Sequence, residues 1–240
     1  MTHDTPIISG QIDISKVRGL LFDVDGTLSD TDDHLIERIA KRLKPVAWLH
    51  KEGDTRHIAR SFVMAIETPA NFFYGLADRM HLDRPFSKVY ERLTHKRHIK
   101  TPAHERFWIV PGVDKMLAYF WEKLPMGVVS ARDERTTMHF LEHFDLLKYF
   151  EVVVTAQTCI HTKPFPDPVV YAARQMGLEP EHCVMIGDTT VDVRAGRAAG
   201  AQTIGVLCGF GSQRELEGAG ADLIVETTGD IQLLFANKAG

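Results

Sequence analysis

Two acidic residues directly follow a short apolar run near the start of the chain, in the segment GLLFDVDGT at 19–27. Asp23 and Asp25 are two residues apart, so in an extended segment their side chains point to the same side. Two like charges this close repel unless a cation shares the site. Mg²⁺ binds carboxylate oxygens together with water and phosphate oxygens. The pair therefore favours a metal-assisted reaction in which one carboxylate attacks and its neighbour transfers protons.

Further polar residues follow three later apolar runs. Ser130 ends the run MGVVS, and Lys163 lies in HTKPFPDP, after the run at 151–155. Asp188 and Asp192 belong to GDTTVD at 187–192. In an open parallel sheet, ligands bind beyond the carboxyl ends of the strands. We therefore expect these side chains to meet Asp23 at one edge of the sheet.

The single residues also have ordinary structural explanations. Asp188 and Asp192 flank a helix start, where acids serve as caps, and Gly26 and Thr27 fit a common turn. A glycine-containing turn can also direct backbone N–H groups towards an anion. Because the structural explanations leave the shared placement unexplained, the combination favours a catalytic site.

The elements that would carry these residues alternate between strand and helix patterns, which predicts a doubly wound parallel sheet of the α/β class. Strands are predicted at 19–22, 126–130, 151–155, 183–186, 203–206 and 222–225. Helices are predicted at 112–124, 133–144, 168–176, 191–199 and 213–217.

One long interval interrupts this alternation. Residues 32–104 contain helical patterns and several prolines, but no convincing strand. A helical block spliced into an alternating pattern is most simply an inserted domain. We predict an α/β core formed by 1–30 and 106–240, with a second, helical domain at 31–105 inserted into it.

Composition narrows the class of protein. The 240 residues carry a formal net charge of −4, which gives no reason to expect a nucleic-acid partner. Three widely spaced cysteines favour a reducing compartment, and no apolar run reaches the roughly 20 residues that span a membrane. We expect a cytoplasmic protein with no membrane partner, and the sequence leaves monomer and homodimer open.

The four motifs together resemble those of the haloacid dehalogenase superfamily of phosphohydrolases, whose fold is a Rossmann-like α/β core. DVDGT at 23–27 is similar to the first motif and Ser130 to the second. Lys163 is similar to the third, and GDTTVD at 187–192 to the fourth. Because they occur in the family's order, each after a predicted strand, the resemblance is specific.

The resemblance implies a role for each matched residue. Asp23 would attack phosphorus, and Asp25 would protonate the leaving oxygen and then activate water. Ser130 and Lys163 would complete the catalytic set by contacting the phosphoryl group. The implied phosphate-binding residues are Gly26, Thr27, Ser130, Ala131 and Lys163. The implied Mg²⁺ ligands are Asp23, the Val24 carbonyl, Asp188 and Asp192.

The resemblance also narrows the reaction. Members that cleave carbon–halogen bonds need no acid at the position of Asp25, so its presence favours phosphate esters. An insert between the first and second motifs resembles the helical-cap branch, which acts on small phosphorylated metabolites, with phosphoglycolate phosphatase as the nearest type. The resemblance thus implies that 1–30 and 106–240 form the catalytic core and that 31–105 is a helical cap that determines substrate specificity.

Three alternatives stay open. They are a sugar-phosphate phosphomutase of the same family, a phosphonate hydrolase that uses a cap lysine such as Lys41 or Lys44, and a non-catalytic phospho-acceptor module. The partner of the Arg132 side chain is also open, because it could contact a bound phosphate or pair with Asp133.

Overall fold

The computed structural model describes residues 7–30 and 107–236, and both segments belong to one compact unit. They form a seven-stranded sheet in the order β1-β7-β6-β5-β2-β3-β4. Strands β2 to β7 run parallel, and β1 pairs antiparallel with β7 at one edge. The strands are β1 Ile7–Gly10, β2 Gly19–Phe22, β3 Met126–Val129, β4 Val152–Val154, β5 Cys183–Gly187, β6 Gln202–Val206 and β7 Leu223–Val225.

Helices connect the parallel strands within the described residues. They are α1 Val113–Phe120, α2 Glu134–His143, α3 Asp167–Gln175, α4 Thr190–Ala199, α5 Gln213–Ala219 and α6 Ile231–Ala236. Short 3₁₀ turns lie at Ile14–Lys16, Leu147–Tyr149, Pro180–His182 and Thr228–Asp230. No helix of the described segments is long and apolar enough to cross a membrane.

The sheet is covered on both faces, which explains why its central strands read as continuous apolar runs. Along β2, Leu20 and Phe22 join one core cluster and Leu21 joins another, because alternate side chains point to opposite faces. The first cluster includes residues of α1, α2 and α6, and the second includes residues of α3 and α4. All four residues of β2 are buried.

The chain winds outward in both directions from β2, first through β3 and β4 and then through β5, β6 and β7. The predicted doubly wound α/β core is confirmed. The strand order reverses between β2 and β5, and such a switch point is where open α/β sheets bind ligands. Asp23 directly follows β2 and Asp188 directly follows β5, so the two acids leave the sheet at neighbouring positions.

The six predicted strands and five predicted helices are all present, and their ends lie within a few residues of the predicted ends. Strand β1 and helix α6 were not predicted. Strand β1 is short and mostly exposed, and its register is irregular between Ile7 and Ser9, so it carries no alternating pattern. Helix α6 has only six residues, which is too short for a clear period. The predicted helical cap at 31–105 lies outside the described residues and stays a prediction.

Candidate active site

A buried lysine joins two of the predicted carboxylates. Lys163 lies in the loop between β4 and α3, and its Nζ donates hydrogen bonds to Asp23 Oδ1 and Asp192 Oδ1, each at 2.6 Å. The Lys163 side chain is only 3% exposed, and its two partners are 9% and 2% exposed. Buried charges are tolerated when they are paired and hydrogen-bonded, which is the case here. The fold thus brings together three residues that belong to three separate sequence motifs.

Burial and the neighbouring charges shift the pKa values of Asp23 and Lys163. Burial raises the pKa of Asp23 to about 7, because a desolvated carboxylate is disfavoured relative to the neutral acid. Lys163 opposes this rise, whereas the charges of Asp192 and Asp25 add to it. Burial lowers the pKa of Lys163, but the two carboxylates outweigh burial and raise it above its ordinary value. A further cation beside Asp23 would therefore favour its ionised, nucleophilic form.

Asp188 is fully buried and is held by the loop that follows β6. The Phe210 N–H donates to Asp188 Oδ2 at 2.7 Å, and the Gly211 N–H donates to the Asp188 carbonyl at 3.0 Å. Position 209 needs glycine, since a Cβ there would lie 2.1 Å from Asp188 Oδ2. This loop belongs to none of the four sequence motifs, although its two glycines in GFG at 209–211 are a signal for close backbone approach.

The buried acids form a cluster that fits a hard divalent cation. Ligand atoms of Asp23, Asp188 and Asp192 all lie within 4.8 Å of one another. Three carboxylates and the Lys163 ammonium leave two net negative charges, and oxygen donors are the ligands that such cations prefer. Asp192 is already engaged, because its Oδ1 binds Lys163 and its Oδ2 accepts the Thr189 N–H and hydroxyl in the capping box of α4. Asp23 and Asp188 are therefore the better placed direct ligands.

The turn after β2 contains backbone groups of Val24, Gly26 and Thr27, to which the resemblance gave ligand-binding roles. The Val24 carbonyl accepts the N–H groups of Thr27, Leu28 and Ser29 at 3.3, 3.0 and 2.8 Å. Gly26 adopts a left-handed conformation (φ 69°) and donates its N–H to the Ser29 carbonyl at 2.9 Å. The turn therefore already uses the Val24 carbonyl and the Gly26 and Thr27 N–H groups, and their assignment as metal and phosphate ligands stays a prediction. The buried Thr27 hydroxyl has no hydrogen-bond partner among the described residues.

Two further predicted site residues, Ser130 and Ala131, directly follow β3. Ser130 is buried and its Oγ accepts the Arg132 N–H at 3.1 Å, while Ala131 is exposed. The Arg132 guanidinium pairs with Asp25, as Nε donates to Oδ2 at 2.6 Å and Nη2 donates to Oδ1. The sequence had suggested either a phosphate or Asp133 as the partner, and Asp133 instead caps α2. Sequence reasoning missed the pairing because the two residues are 107 positions apart.

Known proteins resemble this chain in sequence and in fold. The profile of the family described as haloacid dehalogenase-like hydrolase matches residues 20–206. A phosphoglycolate phosphatase of Nitrosococcus oceani is 28% identical over 232 residues, covering 92% of this chain and 97% of the relative.

Two solved structures share the fold over 92% of this chain. A predicted phosphatase from Clostridium acetobutylicum superposes with a TM-score of 0.65 at 21% identity, over 99% of its own chain. A candidate beta-phosphoglucomutase from Thermotoga maritima superposes with a TM-score of 0.61 at 21% identity, over its whole chain. Since the family profile spans more than half of the sequence and covers all four motifs, this chain belongs to the haloacid dehalogenase-like hydrolases.

Proposed function

We propose that this protein is a Mg²⁺-dependent phosphatase that hydrolyses a small phosphate monoester through an aspartyl-phosphate intermediate. The observation that carries the proposal is the buried Lys163 between Asp23 and Asp192, beside the Asp188 carboxylate. A carboxylate nucleophile needs a neighbouring cation while it approaches an anionic phosphoryl group, and Lys163 beside Asp23 provides one. Relatives of similar length named phosphoglycolate phosphatase support a phosphoglycolate-like substrate.

In the first half-reaction, an Asp23 carboxylate oxygen attacks phosphorus and the ester P–O bond breaks. The leaving oxygen takes a proton from Asp25, so an alcohol departs and Asp23 carries the phosphoryl group. The Lys163 ammonium offsets charge on Asp23 and on the phosphoryl oxygens, while Ser130 donates its hydroxyl hydrogen to one of them. A bound Mg²⁺, held by Asp23 and Asp188 with Asp192 assisting, would supply further charge neutralisation at the phosphoryl oxygens.

In the second half-reaction, Asp25 removes a proton from a water molecule and the resulting hydroxide attacks phosphorus. The bond between phosphorus and the Asp23 oxygen breaks, which releases inorganic phosphate and restores the Asp23 carboxylate. Asp25 ends with the proton that it needs for the next cycle. We include the segment 31–105 in the proposal as the helical cap that admits small substrates and limits water.

We further propose that the protein acts in the cytoplasm on a small metabolite, as a monomer or homodimer. The absence of a disulfide among its three cysteines, all of which are free thiols, supports a reducing compartment.

The test is a phosphate-release assay with Mg²⁺, using 4-nitrophenyl phosphate and a panel of phosphorylated metabolites that includes 2-phosphoglycolate. Asp23→Asn should abolish turnover, because an amide is a poor nucleophile, whereas Asp145→Asn at an exposed ion pair should not. Acid quenching should trap one phosphate per wild-type chain on Asp23.

Three outcomes would contradict the proposal. Appreciable turnover by a folded Asp23→Asn variant would remove the nucleophile. An isomeric sugar phosphate without inorganic phosphate would indicate a mutase. A phosphorylated Asp23 that is stable over many minutes would indicate a phospho-acceptor module.

A further inference from the structure

The ion pair between Arg132 and Asp25 joins two loops at the carboxyl edge of the sheet, where the neighbouring strands β2 and β3 end. Asp25 belongs to the turn after β2, and Arg132 belongs to the loop between β3 and α2. The Asp25 side chain is 37% exposed, whereas that of Arg132 is only 15% exposed. Both carboxylate oxygens of Asp25 accept a hydrogen bond from the guanidinium. The more buried partner, Arg132, therefore determines where the Asp25 carboxylate lies.

Arg132 is itself fixed on several sides. Its backbone N–H binds Ser130 Oγ at 3.1 Å, and its carbonyl accepts the Ala156 N–H at 2.9 Å. The guanidinium carbon lies 5.6 Å from the ring centre of Phe107 and 6.0 Å from that of Phe140. Both rings are buried and contact each other edge to face, so they form a rigid base for the cation. The Arg132 head group thus has little freedom to move away from Asp25.

An arginine suits the pairing with Asp25 better than a lysine would. A guanidinium is a planar fork that matches both oxygens of a carboxylate, whereas a lysine ammonium is a point charge that fixes only a distance. A fork therefore determines the plane of the Asp25 carboxylate as well as its position. Orientation of this kind matters for catalysis, since a displacement of about 1 Å can reduce a rate by about 10²-fold.

We propose that Arg132 is a positioning residue that aims the Asp25 carboxyl at the departing oxygen of the substrate. The inference rests on the proposed function, in which Asp25 transfers the proton. It also assigns Arg132 a role that does not require contact with phosphate. The effect of Arg132 on the rate should pass through Asp25, and it should be largest for substrates whose leaving group needs that proton.

The experiment compares Arg132→Met and Arg132→Lys with wild type on two esters. An alkyl phosphate has a strongly basic leaving oxygen, whereas 4-nitrophenyl phosphate has a weakly basic one. For Arg132→Met we expect kcat/KM, which reports only the first half-reaction, to fall by about 10²-fold on the alkyl ester and by less than about 10-fold on the aryl ester. Arg132→Lys should lie between, because it retains the charge and loses the fork. Arg197→Met is the matched control, as Arg197 is exposed and lies 3.7 Å from Asp222.

A double variant separates positioning from a general structural role. If Arg132 acts through Asp25, Asp25→Asn with Arg132→Met should be no slower than Asp25→Asn alone. Equal losses of kcat/KM on both esters, an unchanged kcat/KM of Arg132→Met on the alkyl ester, or additive losses in the double variant would overturn the inference while wild-type activity stands. If wild type hydrolyses neither ester nor any metabolite of the panel, the proposed function itself fails.

Discussion

The Lys163→Met substitution tests whether the buried ion triad is as coupled as its geometry indicates. Methionine has nearly the length of the lysine stem, so it fills the same space without the ammonium. Two hydrogen bonds of 2.6 Å would be lost, and Asp23 and Asp192 would stay buried without their shared cation. Asp192 would retain its bonds from Thr189, whereas Asp23 would lose a partner that lowers its pKa.

The expected loss of stability in Lys163→Met follows from the burial of the ion triad. Removing one member of a buried ion pair typically costs about 3–5 kcal/mol, because the remaining charge is left uncompensated. We expect the free energy of unfolding to fall by about that amount, out of the roughly 5–15 kcal/mol that typical domains have. The matched control is Lys148→Met, which removes an ammonium 2.5 Å from Asp145 at the exposed surface. Its effect on stability should be small, because solvent screens exposed pairs.

The pH dependence gives a second check on the same reasoning. Folded Asp23 has a pKa of about 7, above its ordinary value of 3.8, so the folded protein retains a proton that the unfolded chain releases. The contribution of this carboxyl to stability is therefore greatest below pH 3.8 and is lost as the pH rises to about 7. Without Lys163 the folded pKa would rise further and extend this loss to higher pH. The destabilisation by Lys163→Met should be larger at pH 8 than at pH 5.

The assay is urea unfolding followed by circular dichroism at both pH values, with and without Mg²⁺. Mg²⁺ should stabilise Lys163→Met more than wild type, because the cluster has gained net negative charge and binding adds to stability by mass action. The reasoning is refuted if Lys163→Met loses no more stability than Lys148→Met. It is also refuted if the loss is larger at pH 5 than at pH 8.

Three further predictions concern the helix cap, the metal and the thiols. Asp133→Ala removes the carboxylate that accepts the Thr136 N–H at 3.0 Å at the start of α2, and should lower the free energy of unfolding by about 1 kcal/mol; an unchanged urea midpoint would contradict this. Gly209→Ala places a Cβ 2.1 Å from Asp188 Oδ2 and should weaken Mg²⁺ binding at least about 10-fold by calorimetry, whereas Gly218→Ala, whose Cβ would meet nothing within 4 Å, should bind as wild type does. Burial raises the pKa of Cys183 to about 11, so iodoacetamide at pH 8 should label Cys159 before Cys183. Mass spectrometry that finds the two thiols labelled at the same rate would contradict the burial of Cys183.

The sequence alone determined the layers of the core and the edge of the sheet at which the candidate site lies. Apolar runs at regular intervals, separated by helical patterns, permit few arrangements other than a parallel sheet covered on both faces. Since parallel strands share one carboxyl edge, Asp23, Lys163 and Asp188 could be assigned to one place from their positions after those runs. The contact between Lys163 and Asp23 at 2.6 Å agrees with that expectation.

Only the tertiary structure decided which partner each polar group takes. Arg132 contacts Asp25 instead of its neighbour Asp133, and the Val24 carbonyl accepts three N–H groups of the turn that follows it. Strand β1 exists because β7 offers an edge with which it can pair, a condition that no local pattern records. The physical reason is the same in each case. Hydrophobic periodicity reports which face of an element is buried, whereas hydrogen-bond partners depend on strand order, turn geometry and side-chain rotamers that are fixed only when distant segments meet.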